Sequence, residues 1–258
     1  MKASFELLND FFSNANATVI KAANYFDVNE KTIRRWLIYY GIKTRPISET
    51  ASLRQSVSKQ LTQKGIEVLN GELLGDGCLI SRSVFSARYT HTNKHKEYLL
   101  WLKNILENEG VVFSESAVCG MDKGKYFNYG LRSRSQFELK PLFDRFYPKE
   151  KIVPHDLELT PTSCLHWYLG DGSKPKNWKG VILLPLSFHV KSVLFLADQL
   201  KNFNPRVQKQ YKGLGEDYGY QIVVNEDFLD YIGGCPAAIQ SVYGYKFKKY
   251  IKPTKNND

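Results

Sequence analysis

The sequence predicts an α+β protein built from two similar halves and preceded by a small all-α module. Three observations predict it. Two segments, Leu69-Asn70-Gly71-Glu72-Leu73-Leu74-Gly75-Asp76-Gly77 and Cys164-Leu165-His166-Trp167-Tyr168-Leu169-Gly170-Asp171-Gly172, share the ending Leu-Gly-Asp-Gly and lie 95 residues apart. Each is followed by stretches of alternating polarity and an apolar-periodic helix, so the chain carries an internal repeat. Residues 17–45 show helical spacing and a turn instead of alternation.

The amino-terminal module comes first. Ala17 to Phe26 has helical spacing with small residues inside, Asp27-Val28-Asn29 is a turn, and Asn29 is placed to cap a second helix. That helix, Glu30 to Tyr40, sets Ile33, Trp36, Leu37 and Tyr40 on one face and Lys31, Arg34 and Arg35 on the other. Gly41 stops it. The pattern is similar to the Thr-Val-Arg-Arg-Trp-Leu recognition helix of small bacterial helix-turn-helix domains, which implies that Lys31, Arg34 and Arg35 meet phosphates or guanines in a major groove. The module is bounded at 1–45. Residues 46–61, with Pro46 and four serines, read as a linker.

In the core, 62–258, an apolar helical run ending in Gly-Asp-Gly sets one carboxylate at the foot of each of two helices. The glycine after each Asp is expected to let the chain turn out of its helix. The small residues before them, Gly75 and Gly170, let the helices approach, bringing Asp76 and Asp171 together. Two carboxylates that close repel, and the pair asks for a hard divalent cation such as Mg2+. Lys151 lies 75 residues after Asp76, and Lys246 lies 75 after Asp171. The halves divide at 62–157 and 158–258.

The strands have a polarity. In 79–90, Leu79, Phe85, Ala87 and Tyr89 oppose Arg82, Ser86, Arg88 and Thr90. In 125–134, Phe127, Tyr129 and Leu131 oppose Asn128, Arg132 and Arg134; in 207–212, Val207 and Tyr211 oppose Gln208, Gln210 and Lys212. One face suits helices, and the other carries side chains that read base edges.

The paired motifs, together with Leu159-Thr160-Pro161 before the second, resemble the LAGLIDADG homing endonucleases in their fused, single-chain form, over roughly residues 62 to 252. The resemblance implies a pseudo-twofold pair of LAGLIDADG half-domains, antiparallel saddle sheets backed by helices and loosely ααβαββ, beside the small all-α helix-turn-helix domain. It implies hydrolysis of both strands of a long asymmetric DNA site across the minor groove, leaving short 3′ overhangs. Asp76 and Asp171 would hold Mg2+, or Mn2+, or Ca2+ in a non-cleaving complex, with help from the carbonyls of Gly75 and Gly170. Lys151 and Lys246 match the basic residue near each scissile phosphate, with Lys149 and Lys248 as close competitors. Lys94 and Lys191, just before the mid-half helices, fall where family members place polar groups near the cleft. Asn70, Glu72 and His166 depart from the family pattern, and His166 could add a hydrogen bond between the helices.

Composition agrees. Net charge is +10, and residues 1–60 hold 9 Lys and Arg against 5 Asp and Glu, so both parts suit a polyanion. Cys78, Cys119, Cys164 and Cys235 form no Cys-x-x-Cys pair and read as reduced, mostly buried thiols of an intracellular protein (cytoplasm, nucleoid or organelle matrix). They form no zinc set with the five histidines. No run reaches a membrane span, no signal-peptide pattern opens the chain, and the start and end lack intein junction residues. Double-stranded DNA is the expected partner, with no membrane, no protein partner and a monomeric state. Two other readings compete: a non-catalytic DNA-binding regulator, which loss of the acids would favour although both are present, and an RNA maturase for intron splicing.

Overall fold

A computed structural model describes residues 3–14, 17–42, 56–122, 127–176, 178–211 and 218–248. The chain divides into an amino-terminal unit and a larger core.

Among its described residues the amino-terminal unit holds three helices, α1 (Phe5–Ser13), α2 (Val19–Tyr25) and α3 (Glu30–Tyr40). Side chains of Ser4, Thr18 and Asn29 accept hydrogen bonds from Leu7 N, Lys21 N and Lys31 N, capping each helix. Gly41, at φ 64°, ends α3 in the left-handed conformation expected of a C-terminal glycine. Leu8, Ala22, Ala23, Ile33 and Leu37 form its core. Helix α1 was not expected from the sequence; Leu8 supplies part of the apolar surface that α2 and α3 bury.

The core opens with α4 (Gln63–Leu74), β1 (Cys78–Ile80), β2 (Arg88–Asn93), α5 (Lys96–Asn108), β3 (Phe113–Asp122), β4 (Phe127–Ser133) and α6 (Leu139–Phe146). The order repeats as α7 (Pro161–Asp171), β5 (Gly172–Ser173), β6 (Gly180–Leu183), α8 (Val190–Gln199), β7 (Arg206–Tyr211), β8 (Tyr218–Asn225) and α9 (Asp227–Tyr231), closed by short turns and α10 (Gln240–Tyr243). Each half is therefore αββαββα, not ααβαββ. Both sheets are antiparallel with the same order, β1-β2-β4-β3 and β5-β6-β8-β7, which the duplication requires.

Three expectations change in detail. Residues 79–90 are not one strand: β1 and β2 form a hairpin, with Arg82 in the bend between them, and Ser86 is buried. Residues 57–61, read as linker, belong to the core: Val57 N donates to Ser135 O and Gln136 Nε2 donates to Lys59 O. Of the four cysteines, all free, only Cys164 is buried. Among the described residues no helix is long and apolar enough to cross a membrane.

Helices α4 and α7 run side by side between the halves and are buried nearly all round from Val68 to Leu74 and Cys164 to Leu169, Leu165 excepted. Such helices show weak amphipathicity because both sides meet protein. Thr62 caps α4, and a Thr160–Ser163 capping box with Pro161 starts α7.

Candidate active site

The two helices end at the same place. Helix α4 stops with Gly75 as its cap, and α7 continues through Asp171. A methyl group built on Gly170 would lie 3.2 Å from Asp76 N and 3.6 Å from Asp76 Oδ2, so each motif's end abuts the other's. The expected close approach is present, but its tightest point is one turn earlier. A methyl group on Gly71 would meet Ser163 O and stand 2.7 Å from His166 Cβ, whereas on Gly75 its nearest neighbour is 3.5 Å away. The glycines after the acids serve differently from what the sequence suggested. Neither Gly77 nor Gly172 has positive φ. A methyl group built on Gly77 would instead lie 2.7 Å from Glu72 O, and one on Gly172 would strike the ring of Tyr168. Each glycine is fixed by the chain folding back on its own helix, not by a left-handed turn.

Asp76 is exposed and Asp171 half-buried. Burial and then the charge of Asp76 push the Asp171 carboxyl up to about 6, against the pull of Lys151, Lys246 and His91. Each lysine closes its own half's helix. Lys151 Nζ donates to Gly75 O and Gly77 O, both at 3.3 Å. Lys246 Nζ donates to Leu169 O at 2.7 Å, Gly170 O at 3.1 Å and Tyr168 O at 3.4 Å. The last carbonyls of a helix lack intrahelical donors and carry its negative dipole end, which is where an ammonium binds. Lys246 is only 7% exposed. It lies 5.1 Å from the Tyr243 ring centroid and 5.9 Å from that of Tyr168, whose hydroxyl donates to Lys246 O. Burial pulls its pKa down to about 8, opposed by Asp76 and Asp171. Burial likewise lowers Lys151, which faces the Phe188 ring at 5.6 Å. The competitors Lys149 and Lys248 are exposed.

Hard oxygen donors lie at these two abutting helix ends: two carboxylates and the carbonyls of Gly75 and Gly170, each carbonyl with a lone pair beyond the one its lysine occupies. Among the described residues no three His, Cys, Asp or Glu side chains gather as a cage. The donor set fits a cation that keeps waters and shares a phosphate, as Mg2+ does.

The basic and amide residues are placed as follows. Arg88 and Arg132 share one face of the first sheet, since Thr90 pairs with Arg132, and Asn128 alternates with Arg132 along β4. Arg134 lies just past β4, exposed. Phe127, at the other end, alternates with Tyr129 and Leu131 but is 57% exposed, its ring edge-on to that of Tyr129. Gln208 and Gln210 are exposed on β7, with Gln208 bonded to Gln221. Arg206, exposed at the start of β7, alternates with them and was missed. Lys94 is exposed, and its charge reaches Lys246. Lys191 is exposed in the first turn of α8. Lys212 lies outside the described residues. In the amino-terminal unit, Lys31, Arg34 and Arg35 are exposed on α3, Arg34 within 3.5 Å of Glu30.

Sequence reasoning also missed the aromatic rings of Tyr168, Tyr243 and Phe188 around the lysines, and the buried partners of Glu72. The only sequence signal for the latter was an acidic residue inside an apolar helix.

Residues 66–226 match the LAGLIDADG DNA endonuclease family. The uncharacterized protein MJ1098 of Methanocaldococcus jannaschii is 29% identical over 153 residues, covering 56% of this chain and 59% of that protein. The chain thus spans less than two thirds of that relative's length. The homing endonuclease I-WcaI, solved bound to its DNA recognition sequence, superposes with a TM-score of 0.61 at 18% identity, over 82% of this chain and 96% of that one. At that identity the likeness is one of fold.

Proposed function

We propose, from the premise that the chain belongs to the LAGLIDADG DNA endonuclease family, that it is a site-specific, metal-dependent homing endonuclease cutting both strands of a long asymmetric target with short 3′ overhangs. The observation that carries this reading is the convergence of Asp76 and Asp171 at the abutting helix ends, each helix closed by its own lysine. Asp76, Asp171 and the carbonyls of Gly75 and Gly170 are the groups that would hold the divalent cation. Such a cation supplies Lewis-acid charge to the phosphoryl oxygens and to the attacking and leaving oxygens of the displacement.

The remaining work falls to the chain itself. Lys151 and Lys246, cationic and held by carbonyls, place positive charge where the pentavalent phosphorus gathers negative charge. The Tyr168 and Tyr243 rings keep water from Lys246, so its charge acts through a poorly screened medium. The polar face carrying Arg88, Asn128 and Arg132, with Gln208 and Gln210 of the second half, would supply the side chains that read base edges. The amino-terminal unit, with Lys31, Arg34 and Arg35 exposed along α3, adds phosphate or base contacts and further salt dependence.

The test is incubation of the full chain with a randomised duplex library, with Mg2+ or with EDTA, followed by sequencing of new ends. Metal-dependent ends with one fixed stagger support the proposal. Selective retention of one sequence without cleavage would make the protein a regulator, and binding of structured RNA in preference to duplex DNA would make it a maturase.

A further inference from the structure

A charge lies buried between the two halves, one helical turn before Asp76. Glu72, 1% exposed, receives a hydrogen bond from four groups. Its Oε1 accepts from Tyr98 Oη at 2.8 Å and from His166 Nδ1 at 2.8 Å. Its Oε2 accepts from Tyr89 Oη at 2.7 Å and from His91 Nδ1 at 2.9 Å. Three donors come from β2 and α5 of the first half, and His166 comes from α7 of the second. Trp101 of α5 stacks on His166 with ring centroids 5.3 Å apart and planes at 12°. Tyr98 meets the Tyr243 ring at 5.0 Å, and that ring is the one 5.1 Å from Lys246 Nζ. Burial opposes the charge, yet the hydrogen bonds and charges of His166 and His91 hold the Glu72 carboxyl well below the usual range.

An isolated buried carboxylate is costly, and an apolar residue would fill this space more simply. What the carboxylate adds is direction. Packed Leu and Val side chains tolerate small slides and rotations of two helices, whereas four donors converging on two oxygens do not. We propose that Glu72 is a positioning residue: through His166 it fixes α4 against α7, so that Asp76 and Asp171 stand in register to share a cation. The catalytic consequence rests on the endonuclease reading, but the geometry of the cation site can be measured without cleavage.

The experiment compares the full-length wild type with Glu72→Gln and Tyr98→Phe, using circular dichroism, Mn2+ affinity by electron paramagnetic resonance, duplex affinity in Ca2+, and single-turnover cleavage. The amide of Glu72→Gln presents one acceptor and one donor, so two of the four incoming donors lose their acceptor. A native dichroism spectrum with Mn2+ affinity and cleavage rate each reduced roughly 10- to 100-fold is expected, as for other groups that orient metal ligands, with duplex affinity nearly unchanged. Tyr98→Phe removes one donor without changing the packing and should show a smaller loss of the same kind; it carries the test if Glu72→Gln does not fold. Variants that melt earlier but keep native Mn2+ affinity and native cleavage below their melting point would overturn the proposal and leave Glu72 a structural brace. So would a wild type that takes up no Mn2+. A wild type that binds Mn2+ without cutting any duplex would overturn the nuclease reading instead, while Mn2+ affinity in the variants still decides the positioning role.

Discussion

Replacing Gly71 by Ala probes the interface on which the proposed active site is built. The added methyl group would sit 2.7 Å from His166 Cβ and closer still to Ser163 O, atoms of the neighbouring helix that cannot swing aside. Ordinary carbon contacts begin near 3.5 Å, so the helices must part by about 1 Å. Overpacking a tight core costs about 1–3 kcal/mol, and rigid neighbours place this site at or above the upper end. The helix preference of Ala returns up to about 1 kcal/mol. A net loss of about 2–3 kcal/mol lowers the melting temperature by roughly 4–12 °C in a protein of this size. A displacement of about 1 Å at the helix ends also slows cleavage by about 100-fold. Gly170→Ala is the control: its methyl group would stand 3.2 Å from Asp76 N, so a shift of a few tenths of an ångström accommodates it. Scanning calorimetry of both variants without divalent cations is the assay. A Gly71→Ala protein that melts with or above the wild type would refute the helix contact as described.

Other outcomes follow from the site's charges and from the amino-terminal unit. The Asp171 carboxyl is raised by burial and by Asp76, so its favourable contribution to stability is complete below pH 4 and disappears as pH climbs through about 6. Asp171→Asn should therefore melt higher than the wild type at pH 7.5 without divalent cation, and stabilisation of the wild type by Mg2+ should grow between pH 5 and 7.5; a Mg2+ effect independent of pH would contradict this. Burial lowers Lys246 to about 8, below its unfolded value, so the cost of its buried charge is relieved as pH rises through about 8, and the cation is lost in the same window. Cleavage should fall above that pH while stability does not, and Lys246→Met should lose about 100-fold or more in rate while remaining folded. Replacing Lys31, Arg34 and Arg35 together by Ala should weaken DNA binding and reduce the salt slope by at most about 3, with cleavage at saturating protein retained; an unchanged slope would remove the amino-terminal unit from the DNA interface.

What could be read from the sequence follows from how each feature is encoded. The two acids and the two lysines repeat at fixed spacing, and the structure places each lysine on its own helix end, because a duplicated fold keeps register along the chain. The cap of α3 at Asn29 and its stop at Gly41 were legible because capping is local. The hairpin over 78–93 was not, because the bend from Ser81 to Ser86 holds no Gly or Pro to mark a break between the flanking strands. Glu72 stood out as a departure, and His166 as a source of a hydrogen bond. Their pairing was hidden, since 94 residues separate them and only the packing of the two halves brings them together. The demand on Gly71 escaped notice for the same reason, its neighbours lying on the other helix.

The central claim is that Asp76 and Asp171 form one composite metal-dependent site, and the most direct measurement is cleavage by three proteins side by side. Wild type, Asp76→Asn and Asp171→Asn, each verified as folded, are incubated with the duplex library in Mg2+, and the new ends are sequenced. The account predicts Mg2+-dependent double-strand ends with a short, fixed 3′ stagger in the wild type and none in either variant. Double-strand cuts that persist in both variants, or a wild type that retains one sequence in Mg2+ and never cuts it, would contradict it.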